Sequence, residues 1–130
     1  MGFTATFESE SGATKAAAAT LLLEYWSSLG FAVHSHALNE VVLRVNGYGK
    51  LGRWLEDQAL EAGVKVEWHQ MPIQLTVRFL AKPTGTKYTF AFLLADRWSS
   101  GGDEELQGFL KAMRAWIDGF LEFVASWVAA

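Results

Sequence analysis

Three glycines and one acid in this chain have the types and spacing for phosphate chemistry. Gly47, Gly49 and Gly52 follow an apolar run, Val41 to Val45, and precede a segment of helical periodicity, so they stand at a strand-to-helix turn. Glycine there lets the backbone turn tightly and approach an anion, and the first turn of the helix offers unpaired N–H groups to it. Glu67 lies twenty residues beyond Gly47, at the end of the next apolar run, where an acid could hold a ribose hydroxyl. Lys50 and Arg53 are close by in sequence. A second group is His34, Ser35 and His36, with Glu40 following, since alternate histidines on a strand can address one metal ion.

The stretch from Val41 to Glu67 resembles the Rossmann phosphate-binding turn, which implies nucleotide or phosphate binding at Gly47, Gly49, Gly52 and Glu67. The histidine group, extended to Glu40 and Gly47, is similar in spacing to the first cupin metal motif, which implies a histidine-dependent metal enzyme. Both stand as alternatives. A Rossmann sheet is parallel, whereas Asn39 and Glu40 leave room only for an antiparallel hairpin before the glycines, and a cupin barrel has no place for two helices. His34 and His36 read more simply as half-exposed residues of a polar strand face, and no resident cofactor or metal is expected.

Composition sets the wider bounds. One domain spanning 1–130 is expected, large enough to bury a core without cross-links. The absence of cysteine removes thiol catalysis, cysteine-based zinc sites and disulfide frameworks. A net charge of -3 without a basic block argues against nucleic acid, because the nearest thing to a cation cluster is the scattered set Arg78, Lys82 and Lys87. No membrane partner is expected, since Lys111, Arg114, Asp118 and Glu122 interrupt the apolar C-terminal stretch. The N-terminus lacks a basic leader pattern, so the expected location is cytoplasmic. Serine-elbow, phosphate-loop lysine and His-Glu-x-x-His patterns are lacking, and the reading leans away from an enzyme.

The elements that must position these groups follow from periodicity. Phe3, Ala5 and Phe7 alternate with polar residues as a first strand; a helix from Ala13 to Leu29 follows, with Ser11 as its cap and Gly30 as its left-handed stop. Strands from Phe31 to Leu38 and Val41 to Asn46 precede a helix from Lys50 to Ala62, stopped by Gly63, and a strand from Val64 to His69. Alternation returns from Ile73 to Phe79 and, after the turn Lys82 to Gly85, from Tyr88 to Leu94. Asp96, Arg97 and Trp98 close that strand. The last helix begins beyond Gly101 and Gly102, with an apolar stripe through Leu106, Leu110, Met113, Ile117, Phe120, Val124 and Trp127. Gly108, Ala112, Ala115, Gly119 and Ser126 form an opposite stripe of small residues, which would admit a second helix closely.

The expected fold is α+β and two-layered: a mainly antiparallel sheet of about six strands, with a ferredoxin-like βαββαβ core extended by ββα and a long C-terminal helix. A helix-grip-like layout, a curved antiparallel sheet around that helix, is the competing arrangement. Six Trp, nine Phe and three Tyr exceed what one small core easily hides. The leading expectation is therefore a non-enzymatic domain that binds a small apolar or aromatic ligand between sheet and helix, or self-associates as a homodimer. Trp68, Phe79, Tyr88, Phe90, Phe92, Trp116 and Phe120 are the residues expected to line that layer.

Overall fold

The computed structural model describes residues 4–45, 73–94 and 102–129, with side chains from residue 107 onward in the last range. Within these ranges the order is β1 (Thr4–Ser11), α1 (Lys15–Ser28), β2 (Ala32–Ala37), β3 (Glu40–Val45), β4 (Ile73–Lys82), β5 (Gly85–Leu94) and α2 (Gly102–Ala129). The five strands make one antiparallel sheet in the order β1-β5-β4-β3-β2. Both helices pack on one face of it, which gives the expected α+β, two-layer class.

Burial alternates strictly along the central strands. On β5, Thr86, Tyr88, Phe90, Phe92 and Leu94 point under the helices while their neighbours are half-buried on the outer face. Ile73, Leu75, Val77 and Phe79 do the same on β4. Period-two alternation is what a half-covered antiparallel sheet selects. The two strands pair over their full length around a two-residue turn, Pro83 and Thr84, because Lys82 lies opposite Gly85. On the outer face, Arg78 Nε donates to Glu40 at 2.9 Å and Lys87 lies 3.8 Å from Glu8, so acids stand beside two of the three scattered cations.

The ferredoxin-like order is not found. That order requires β1 beside β3, but β1 pairs with β5 from Thr4 opposite Leu93 to Ser11 opposite Thr86, and β3 is flanked by β2 and β4. The physical reason lies in β5. Its bulky inward residues lie under both helices, and pairing with β1 as well as β4 keeps β5 away from the sheet edge. Five strands, not six, lie among the described residues. The strand from Val64 to His69 and the helix from Lys50 to Ala62 fall outside them.

Helix α1 is capped by Thr14, whose Oγ1 accepts from the Ala17 N–H, and not by Ser11, whose hydroxyl is 2.6 Å from that of Tyr88. At its other end Gly30 takes φ +94°, as its position predicts. The Gly30 N–H donates to the Ser27 carbonyl and the Phe31 N–H to the Trp26 carbonyl, the paired bonds of a Schellman closure. The apolar contact that accompanies such a closure is present too: the Phe31 and Trp26 rings meet edge to face at 5.4 Å.

Helix α2 places Phe109, Met113, Ile117, Phe120 and Val124 in the core, a 4-4-3-4 spacing that keeps one face on the sheet. Gly119 from the expected small-residue stripe meets a helix, and that helix is α1: a methyl group there would overlap the Tyr25 hydroxyl. No described helix is long and apolar enough to cross a membrane.

Candidate functional site: an aromatic layer and two grooves

The residues expected at the sheet-to-helix layer do come together. Phe79, Tyr88, Phe90, Phe92 and Phe120 are buried and Trp116 is half-buried; Trp68 lies outside the described residues. Tyr88 stacks on Phe90 at 5.7 Å and meets Phe120 edge-on at 5.3 Å, Phe79 reaches Tyr88 at 6.2 Å, and Phe92 reaches Trp116 at 6.2 Å. Offset and edge contacts at these distances add to the apolar burial of each ring. The sequence reading missed the hub of this cluster. Trp26 on α1 contacts Tyr25, Phe31, Phe90, Phe92 and Trp116 at 5.3 to 6.4 Å. Its signal was the α1 stripe Ala18, Leu22 and Trp26, four residues apart on one face. Trp26 is fully buried, and its indole Nε1 has no hydrogen-bond acceptor among the described residues.

Two phenols edge the layer. Tyr25 donates to the Trp116 carbonyl at 2.9 Å, and burial, with a smaller contribution from the Glu122 carboxylate, raises its pKa above 10.0. Tyr88 is also raised, because burial outweighs the opposing hydrogen bond with Ser11. Neither phenol is thereby prepared as a base or nucleophile near neutral pH.

An open groove lies between the end of β1 and the last turns of α2. Its volume is about 390 Å³, and Glu10, Ser11 and Gly12 face Leu121, Val124, Ala125, Val128 and Ala129 across it. Thr86 anchors the β1 side of this region by donating to the Ala13 carbonyl at 2.9 Å. Gly85 stands against it with φ +152°, where a side chain would overlap the Ser11 carbonyl. A second groove, of about 640 Å³, separates Lys15, Ala16 and Ala19 of α1 from His36, Ala37 and Leu38.

The histidines are carried by an exposed edge. Every residue of β2 is exposed, and the register with β3 shifts between Val33 and Ser35, which leaves His34 as the extra residue of a bulge. Among the described residues no group of three His, Asp or Glu is placed to hold a metal. His69 and the glycine turn of Gly47, Gly49 and Gly52 with Glu67 lie outside the described residues, as do Asp96, Arg97 and Trp98.

No protein-family model matches the chain, and no curated protein matches it. Among solved structures it is similar to an uncharacterized protein from Rhizobium leguminosarum, at 13% identity and a TM-score of 0.51, over 97% of this chain and 96% of that one. At that identity the likeness shows the fold.

Proposed function

We propose that this protein is a non-enzymatic, cytoplasmic binding domain that takes a small apolar or aromatic ligand between the sheet and α2. The fold is read as helix-grip-like, with β1 closing the β2-to-β5 meander and the terminal helix laid across it. The observation that supports the reading is the groove between β1 and α2, whose helix side, Leu121, Val124, Ala125, Val128 and Ala129, is wholly apolar. Its other wall carries the Ser11 hydroxyl, which joins it to Tyr88 and so to the aromatic layer. A few polar groups in an apolar recess are the usual make-up of a small-molecule site.

The test uses the neutral fluorophore N-phenyl-1-naphthylamine. Wild-type protein is expected to enhance its emission saturably, and Ala125→Trp, which fills the groove from an exposed position, is expected to abolish that enhancement without lowering the melting temperature. Equal binding by both proteins, or none by wild type, overturns the proposal.

Self-association is the second reading, favoured by Trp127 (52% exposed) and Val128 (47%) on the last turns of the same helix. Sedimentation equilibrium separates the two: a dimer that Trp127→Ser dissociates places a second copy, not a ligand, at this end of α2.

A further inference from the structure

The helix-bearing face of the sheet is incomplete beside α1. Among the described residues β2 is the outermost strand, and Val33 and His36 lie opposite Leu43 and Val41, both fully buried on that face. Side chains directly opposite on paired strands share a face, so Val33 and His36 belong under the helices too. Val33 is nevertheless 47% exposed and His36 is exposed, because α1 stops short of the edge. What lies between is the 640 Å³ groove, within the range of about 300 to 1,000 Å³ typical of small-molecule sites.

Its lining has a consistent chemistry. Ala16, Ala19 and Ala37 form an apolar trough, and Leu38, 84% exposed, stands at its rim. Among the described lining residues the basic side chains are Lys15 and His36, and none is a carboxylate. The Lys15 ammonium carries three donors, and its hydrogen-bond partner is the neutral side-chain oxygen of Asn39. Two donors therefore remain for an anion, with an imidazole beside the same trough.

We propose that this groove binds a medium-chain fatty carboxylate, its head held by Lys15 and His36 and its tail lying along Ala16, Ala19 and Leu38. Charge complementarity selects an anion over a cation, and the alanine walls offer an alkyl chain apolar surface to lie along. The site is separate from the groove between β1 and α2 and does not depend on ligand binding there.

Calorimetric titration at pH 7 with decanoate, 1-decanol and decyltrimethylammonium, all as monomers, tests the assignment. Decanoate is expected to saturate one site and to bind at least tenfold more tightly than the ammonium compound. Lys15→Gln, which keeps a donor for Asn39 but loses the charge, is expected to weaken decanoate about tenfold to a hundredfold while leaving decanol within about twofold. Ala19→Trp, which fills the trough, is expected to abolish decanoate binding; if Ala19→Trp melts early, Leu38→Ser at the exposed rim serves instead and is expected to weaken decanoate and decanol alike. The proposal is overturned if decanoate does not bind, if all three amphiphiles bind equally, or if Lys15→Gln leaves decanoate affinity unchanged.

Discussion

Tyr25 on α1 reaches across to α2 and donates its phenolic proton to the carbonyl of Trp116 at 2.9 Å, and it does so over Gly119, which has no side chain to obstruct it. A hydrogen bond between the two helices thus depends on a missing methyl group. Glycine inside a helix costs about 1 kcal/mol relative to alanine, close to the value of the bond it permits.

That balance gives a double-mutant prediction. Gly119→Ala alone is expected to change stability by less than about 1 kcal/mol, since the helix gains what the displaced hydroxyl loses. In a Tyr25→Phe background no oxygen meets the new methyl, and the same substitution is expected to stabilise by about 1 kcal/mol. Urea denaturation of the four proteins measures the coupling, and simple additivity would dismiss the account.

The glycines with positive φ separate conformational strain from collision. Gly30 has φ +94°, and a methyl there would meet only Val45 Cγ2 at an ordinary 3.9 Å, so Gly30→Ala should cost about 1 to 2 kcal/mol from the backbone alone. At Gly85 the φ of +152° coincides with overlap on the Ser11 carbonyl, so alanine there must move β1 as well as strain the turn. Its cost should exceed that of Gly30→Ala by at least about 1 kcal/mol, read from chemical denaturation midpoints.

Alkaline titration should destabilise the fold through its phenols. Tyr25 and Tyr88 both have pKa values raised above 10.0, chiefly by burial. Below pH 10 both are neutral in either state and their contribution is fully present; as pH rises from 10 through the folded-state pKa values, the unfolded chain loses protons more readily and that contribution is lost. Tyr88→Phe should make the decline in melting temperature above pH 10 shallower, and an unchanged slope would show that Tyr88 plays no part.

Removing a ring from the layer should be felt throughout it. Phe90 is fully buried and touches Trp26, Tyr88 and Phe120, so Phe90→Ala is expected to cost about 3 to 5 kcal/mol. A loss below 1 kcal/mol would mean that the layer repacks and is looser than its ring contacts indicate.

Much of the local structure is legible in the residues. Alternation marks β4 and β5, the four-and-three spacing from Met113 to Val124 marks α2, and Gly30 marks the end of α1. The hairpin between β2 and β3 turns at Leu38 and Asn39, one position before the expected Asn39 and Glu40. Strand order is different in kind. Nothing in the neighbourhood of Thr4 to Ser11 announces a partner some eighty residues away, because pairing of that sort is decided by which strands need cover once the helices are in place. Aromatic content led toward Phe79, Tyr88 and Phe120, which turned out to pack on one another. The openings lie where Ala16, Ala19 and Ala125 have too little side chain to fill the space, and a short side chain leaves no mark in a hydrophobic pattern.

The pairing of β1 with β5 has a consequence for how the polypeptide reaches its native state. Thr4 to Ser11 leave the ribosome well before their hydrogen-bonding neighbours, Thr86 to Leu93, have been synthesised. Closure of so long a loop carries an entropic cost before any contact repays it, so completion of the sheet is expected to be a late step, set by topology. Until then the nascent chain carries an unpaired strand edge of the kind that chaperones shield.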